Sequence, residues 1–184
     1  MILIFSAPSG SGKSTLVQYL LDTRQDIELS ISATTRAPRG QEQDGREYYF
    51  ITPERFKQLI KEDAFVEWQQ VYKGTYYGTL RSEIERIENA GHHVVFDIDV
   101  KGGINVKRMF GDRALAIFIS PPSIEALRER LTKRGTDSPE KIEERLAKAE
   151  IEMADAPLFD TILVNDDLAT TKKELDKELA KFLG

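Results

Sequence analysis

Ile2-Leu3-Ile4-Phe5-Ser6-Ala7-Pro8-Ser9-Gly10-Ser11-Gly12-Lys13-Ser14-Thr15-Leu16-Val17-Gln18-Tyr19-Leu20-Leu21 is the stretch on which the fold turns. Ile2 to Phe5 is an unbroken apolar run, the pattern of a strand covered on both faces. Ser6 to Gly12 is dense in small residues and glycine, which marks a turn. Ser14 to Leu21 then carries apolar residues at helical spacing. Strand, glycine-rich turn and helix in that order bring successive backbone amides to a helix N-terminus, where they can wrap an anion.

Within that stretch Gly10-Ser11-Gly12-Lys13-Ser14-Thr15 matches the second half of the P-loop, preceded here by Ala7, Pro8 and Ser9. In such a loop the amides hold donor phosphates, Lys13 reaches the terminal ones, and the Ser14 hydroxyl ligates Mg²⁺. Ala7 stands where the first glycine is usual. Pro8 biases it toward extended geometry, so its methyl group is expected to be tolerated.

Other segments share the texture of the first strand. His93 to Asp99 follows a helical stretch from Leu80 to Asn89, and Ala114 to Ile119 and Thr161 to Val164 are also apolar on consecutive positions. Doubly covered strands alternating with helices predict an α/β protein: a P-loop NTPase three-layer α/β/α core around a parallel sheet. Asp97, at the end of one such strand, is placed to position the metal and its waters. Asp99, two residues on, is read as lying on the same side of the strand, and its role is open between metal-side acid and structural carboxylate.

Two insertions interrupt the core. Arg46 to Ile51 and Phe65 to Tyr72 alternate polar with apolar or aromatic residues among the turn residues Gly40, Gly45 and Gly74, predicting a small, half-exposed β subdomain. Ser123 to Met153 is helical, with Ser138-Pro139-Glu140 starting its second helix and Ile142, Leu146, Ala149 and Met153 along one face. A charged amphipathic helix is predicted from Ala169 to Leu183. The expected organisation is one domain over 1–184, with a core of 1–32, 83–122 and 154–184, an acceptor-binding subdomain of 33–82 and a helical lid of 123–153.

Composition narrows the chemistry. The 184 residues include no cysteine and two histidines, so disulfides, thiolate catalysis and cysteine-ligated zinc are excluded. The net charge of -5 gives no broad attraction for nucleic acid. No run reaches the ~18 apolar residues of a membrane span, and Met1 to Phe5 lacks the flank of a signal peptide. A cytoplasmic protein acting on a phosphorylated metabolite is expected, without nucleic acid or membrane partners; monomer and homodimer are both open.

The acceptor is read from Ser32 to Gly40. Arg36 and Arg39 stand three apart around Pro38. Two planar guanidinium forks in a stiff loop suit a phosphate monoester, and the hydroxyls of Tyr48 and Tyr77 can add donors; a solvated basic loop is the plainer alternative.

Taken together, Ser9 to Thr15, Ser32 to Arg39, Gly45-Arg46-Glu47-Tyr48, Phe65-Val66-Glu67-Trp68, Tyr76-Tyr77-Gly78, Asp97-Ile98-Asp99, Pro121-Pro122-Ser123 and Val164-Asn165-Asp166-Asp167 resemble guanylate kinases, in the family's order from end to end. The resemblance implies transfer of the terminal phosphoryl group of ATP, with Mg²⁺, to GMP and dGMP in purine nucleotide metabolism. It also implies site roles: Arg36, Arg39, Tyr48 and Tyr77 on the GMP phosphate, Ser32, Glu67, Gly78 and Thr79 about guanine, and Asp97 and Asp99 bordering acceptor and metal. Asn165 would lie near the adenine, and Arg134 and Arg145 would close over the donor phosphates, with Arg128 and Arg130 as weaker candidates. Family members often carry serine where Thr79 stands.

Elementary chemistry supports the guanine reading. Guanine offers two adjacent donors, N1–H and the 2-amino group, that one carboxylate such as Glu67 can accept together, whereas adenine turns an unprotonated nitrogen there. Phosphoryl transfer needs alignment and charge neutralisation more than a strong base, so His92 and His93 receive no catalytic role. Closure about both nucleotides, flexing at Gly40, Gly45 and Gly135, is expected to keep water from the transferring group. The competing readings are a related kinase acting on ribose 1,5-bisphosphate, which would leave Glu67 without base donors, and a non-catalytic guanylate-kinase-like interaction module, for which Lys13 and Ser14 would have no use. A GTPase switch lacks an Asn-Lys-x-Asp sequence.

Overall fold

The structure, a computed structural model, describes residues 1–184, the side chains at 71 and 72 excepted. The chain divides into two compact units, Met1–Gln25 with Val95–Gly184, and Asp26–Val94.

In the first unit the opening apolar run becomes β1 (Ile2–Ser6), every residue buried, followed by α1 (Lys13–Thr23). Strands β7 (His93–Asp97), β1, β8 (Ala114–Ser120) and β9 (Thr161–Val164) are neighbours in that order. The β1–β8 and β8–β9 pairs are parallel, with Ile2 opposite Ala114 and Ile117 opposite Thr161. Complete burial of β1 and β8 is what consecutive apolar residues require, since side chains on both faces of the pleat must leave water. Helix α4 (Val100–Phe110) packs on β1 and β8, and α7 (Leu168–Leu183) packs on β9.

The lid helices α5 (Ile124–Arg134) and α6 (Pro139–Ala154) belong to this unit. Ser123 caps the first, its hydroxyl accepting from the Ala126 amide, and Ser138 caps the second by accepting from the Lys141 amide. Pro139 follows that cap at the first helical position, where its missing N–H costs no bond. Leu127, Leu131, Ile142, Leu146 and Ala149 form a small apolar core between the two helices.

The second unit carries a sheet of order β4-β3-β6-β5, built from β3 (Ala33–Thr34), β4 (Tyr49–Phe50), β5 (Phe65–Tyr72) and β6 (Thr75–Leu80). Strand β6 runs antiparallel to both β3 and β5. Helix α2 (Pro53–Lys61) sets Phe56 and Leu59 against Ala33 and Phe65, and α3 (Arg81–Asn89) follows β6 directly. The short strand β2 (Ile27–Leu29) completes this unit.

Two differences from the sequence reading have physical causes. The strand expected to reach Asp99 ends at Asp97, because Asp99 turns to cap α4, its carboxylate accepting from the Gly102 amide. The two acids therefore do not share a strand face. The alternation over Arg46 to Ile51 yields strand only at Tyr49–Phe50, since Asp44 Oδ1 takes the Phe50 amide and Tyr48 closes a bridge to Asp44. The alternation expected at Val71 and Tyr72 lies outside the described side chains.

Candidate functional site

The glycine-rich turn after β1 is built by its backbone. Gly10 and Gly12 have φ of 93° and 92°, the left-handed region that disfavours a side chain, and the Ser11 amide donates to the Pro8 carbonyl at 3.2 Å. A methyl group at Gly12 would also run into the side-chain amide of Asn165. Among the described residues only Asp63 combines positive φ with a side chain, so Ala7 holds a backbone open to any residue.

Around the turn lies a cavity of about 570 Å³ walled by the loop, by Asp97, Ile98 and Asp99, and by Arg134, Arg145, Lys148 and Glu152 from the lid. Lys13, the first residue of α1, points into it. Its ammonium donates to the Ile98 carbonyl at 2.9 Å and pairs with Asp97 at 2.5 Å. The exposed hydroxyls of Ser14 and Thr15 line the same cavity at the helix start. Amides, an ammonium and guanidinium groups converging on one pocket are the chemistry of a polyphosphate site.

Arg145 is held at 2.5 Å on the Ser9 hydroxyl and at 3.2 Å on Asp137. Arg134 ends α5 immediately before Gly135, whose φ of 68° terminates the helix, and lines the cavity. The weaker candidates are engaged elsewhere: Arg128 pairs with Glu143, and Arg130 donates to the Asn165 carbonyl at 2.7 Å. Asn165 is 6% exposed, and its side-chain nitrogen donates to the Ser11 carbonyl at 2.8 Å, so it braces the loop from beneath.

Lys148 and Glu152 are site residues that sequence reasoning missed. They follow Arg145 at i+3 and i+7, on the same side of α6, and pair with each other at 3.3 Å. Burial raises the Glu152 carboxyl above its ordinary range, opposed chiefly by Lys148. The i, i+3, i+7 spacing from Arg145 was the available signal.

Among the described residues no cluster of three or more carboxylates or histidines forms a metal cage. One hydroxyl at a helix start and one strand-end carboxylate suit Mg²⁺, which keeps several waters and binds mainly through phosphates.

The second unit gathers the other predicted residues. Arg36 lays its fork on Glu42, at 2.6 and 2.8 Å, and its Nε donates to the Tyr77 hydroxyl at 3.1 Å. The guanidinium lies 4.9 Å from the Tyr48 ring centroid, and the Tyr48 and Tyr77 rings meet edge to face. Arg36, donating first to Glu42, has its proton affinity raised; the same contact, reinforced by the Arg39 amide, pulls the Glu42 carboxyl down to about 2. Arg39 is exposed in the same loop.

On the neighbouring strands Glu67 and Thr79 face each other across β5 and β6, and the fully buried Thr79 hydroxyl donates to Glu67 at 2.9 Å. Gly78 lies between Ala33 and Trp68; a methyl there would approach the Glu67 carbonyl to 2.7 Å, so only glycine fits. The Ser32 carbonyl accepts the Tyr49 amide. Beside it, Glu83, 3% exposed, accepts from the Ile31 amide, the Tyr49 hydroxyl and Arg86. Burial would raise the Glu83 carboxyl, but these donors, Arg86 foremost, hold it below its ordinary range.

Similarity to known proteins bears on the whole chain. The guanylate kinase family model matches residues 1–182. A guanylate kinase of Bacteroides thetaiotaomicron is 55% identical over 183 residues, covering all of this chain and 90% of that protein. One from Porphyromonas gingivalis is 55% identical over 184 residues, covering all of this chain and 98% of its own length. Among solved structures, the crystal structure of guanylate kinase from Anaplasma phagocytophilum superposes with a TM-score of 0.75 at 31% identity, covering 98% of this chain and 85% of that one.

Proposed function

The chain belongs to the guanylate kinase family, and from that premise we propose that it transfers the terminal phosphoryl group of ATP to GMP, and to dGMP, yielding GDP or dGDP and ADP. An oxygen of the acceptor phosphate attacks the γ-phosphorus, the bond to the bridging oxygen breaks, and the electron pair leaves with ADP. The acceptor phosphate is anionic near neutral pH, so the chain need supply no strong base.

What the residues supply is charge and placement. The amides of Ser9 to Thr15 cradle the β- and γ-phosphates, and Lys13 leaves Asp97 for the incoming oxygens. Arg134 and Arg145 neutralise charge as it builds on the transferring group. Ser14 and Asp97 are the residues that would hold Mg²⁺, directly or through its waters; the ion, when bound, screens the phosphate charge and fixes the donor's orientation. Asn165 supports the loop from below through its bond to the Ser11 carbonyl, on the side where the adenine of ATP would lie. Guanine is read by Glu67, with Thr79, Ser32 and the close backbone at Gly78, while Arg36, Arg39, Tyr48 and Tyr77 serve the acceptor phosphate; Asp99 borders the acceptor.

The observation that supports this reading above the others is the Thr79–Glu67 pair. A buried hydroxyl holding a carboxylate has a purpose when two base donors arrive, and none for a sugar bisphosphate. The intact Lys13 within the cavity speaks equally against a module that only binds partners. The deciding experiment mixes the protein with ATP and Mg²⁺ and offers GMP, dGMP, AMP, CMP, UMP or ribose 1,5-bisphosphate in turn, following ADP. Turnover confined to the guanine nucleotides is expected; preference for the sugar bisphosphate, or no turnover with any acceptor, overturns it.

A further inference from the structure

We propose that Asp137 is a positioning residue for phosphoryl transfer: from the link between the lid helices its carboxylate holds one edge of the Arg145 guanidinium, so that the N–H groups left over are presented to the P-loop cavity. This rests on the GMP kinase reading and deepens it.

Asp137 lies in the short link between Arg134, the last residue of α5, and Ser138, the cap of α6. Arg145 stands in the second turn of α6. Helical side chains lean toward the N-terminus of their own helix, so a long one can run back to the residue before the cap. There Nη2 donates to Asp137 Oδ1 at 3.3 Å, and Nε stands 3.2 Å from Oδ2, an ionic contact rather than an aligned hydrogen bond. The carboxylate thus meets one edge of the planar group, a contact that a lysine could not reproduce.

The pair is built into the lid and does not lie on its surface. The Asp137 side chain is 11% exposed, and its Oδ2 and the Arg145 Nε are both out of reach of water. Attraction between charges so placed is weakly screened, and losing one of them strands the other. Arg128 and Glu143, across the same two helices, pair in the open, where such contacts contribute little.

A count of donors shows what this leaves for the cavity. A guanidinium has five N–H groups. On Arg145 the Nε–H and one on Nη2 face Asp137, and one on Nη1 goes to the Ser9 hydroxyl at 2.5 Å. Among the described residues one N–H on each Nη has no acceptor. Ser9 is a neutral hydroxyl, which anionic phosphate oxygens displace, and the end of the fork then offers parallel N–H groups to a phosphate. Arginine is also among the side chains that lose most rotamer freedom when ordered. Asp137 takes that loss in the resting protein, so that little reorganisation remains when charge builds on the transferring group.

The test is a double-mutant cycle on the full-length protein. Wild type, Asp137→Ala, Asp137→Asn, Arg145→Ala and the Asp137→Ala, Arg145→Ala double variant are compared with ATP, Mg²⁺ and GMP, reading kcat and KM separately. Asp137→Ala should lower kcat roughly 10- to 100-fold, the scale of one charge-assisted contact, and leave KM for GMP within about twofold. Asp137→Asn, which keeps an acceptor for Nη2, should lie between. The double variant should be no slower than Arg145→Ala alone, because a carboxylate that acts through Arg145 has nothing to orient once the arginine is gone. Additive losses would mean that Asp137 supports the lid by another route and overturn the proposal. Unchanged kcat in Asp137→Ala or in Arg145→Ala overturns it too, as does a loss carried wholly by KM for GMP. If Asp137→Ala does not fold, Asp137→Asn with and without Arg145→Ala decides by the same comparison. Wild type that does not phosphorylate GMP at all would instead sink the kinase reading.

Discussion

Glu67→Gln tests the proposal that guanine is recognised at Glu67. The Thr79 hydroxyl is fully buried and donates to Glu67 Oε1 at 2.9 Å, so it demands an acceptor in the variant too. That demand turns the glutamine's oxygen toward Thr79 and its NH₂ toward the base. One of guanine's two donors then meets another donor. The loss is one charge-assisted hydrogen bond, about 1.5–3 kcal/mol, together with the desolvation of an unpaired N–H, about 1 kcal/mol or more. With a tenfold change for each ~1.4 kcal/mol, kcat/KM for GMP should fall about 100- to 1,000-fold. AMP, which offers an acceptor at the facing ring position, should lose nothing and gain slightly. A coupled assay of ADP release with GMP and AMP in parallel reads the ratio. If Glu67→Gln keeps the wild-type preference for GMP over AMP, guanine is not read at the Glu67–Thr79 pair and the placement of the acceptor base is wrong.

Lys13→Ala should abolish turnover with every acceptor while the protein still melts cooperatively, since the fold loses one ion pair and the donor phosphates lose their ammonium; activity within tenfold of wild type would refute its role. Gly12→Ala combines a φ of 92° with a collision against Asn165, so backbone strain of about 1–2 kcal/mol and disturbance of the Asn165–Ser11 bond should lower Tm and raise KM for ATP together. An unaltered melting curve would contradict that packing. Glu83 has a folded pKa below its ordinary 4.5, so its contribution to stability is present above that value and drains away as pH falls toward the lower folded one. Acid melts of wild type and Glu83→Gln should therefore draw together as pH falls below 4.5, and a constant gap in Tm between them from pH 7 to pH 3 would show that the Ile31, Tyr49 and Arg86 contacts do not depend on its charge.

The first unit was legible because its signals are local. A buried strand reads as consecutive apolar residues, and the loop between Ser6 and Lys13 must bend through left-handed angles that only Gly10 and Gly12 supply cheaply. Helices α5 and α6 announce themselves by Ser123 and Ser138, whose hydroxyls cap within three residues of sequence. Helix α4 was missed for a related reason. Its cap, Asp99, reads as the tail of a strand, and Gly102 and Gly103 in its first turn argue against helix by propensity. Packing overrides them: a methyl at Gly103 would strike the Ser6 hydroxyl, so the glycine permits α4 to lie close on β1.

The candidate site was legible in its residue types and much less so in their partners. Arg36 and Arg39 could be picked out as a pair suited to phosphate, yet nothing in their spacing says that a carboxylate six residues beyond Arg36 takes its fork. Asn165 could be placed near the nucleotide, but its bond to the Ser11 carbonyl spans 154 positions and has no periodic trace. Charged side chains in a sequence advertise what they can bind, not what already binds them. Arg36 shows the distinction: the guanidinium that its residue type offers to a phosphate already rests on the Glu42 carboxylate and the Tyr77 hydroxyl.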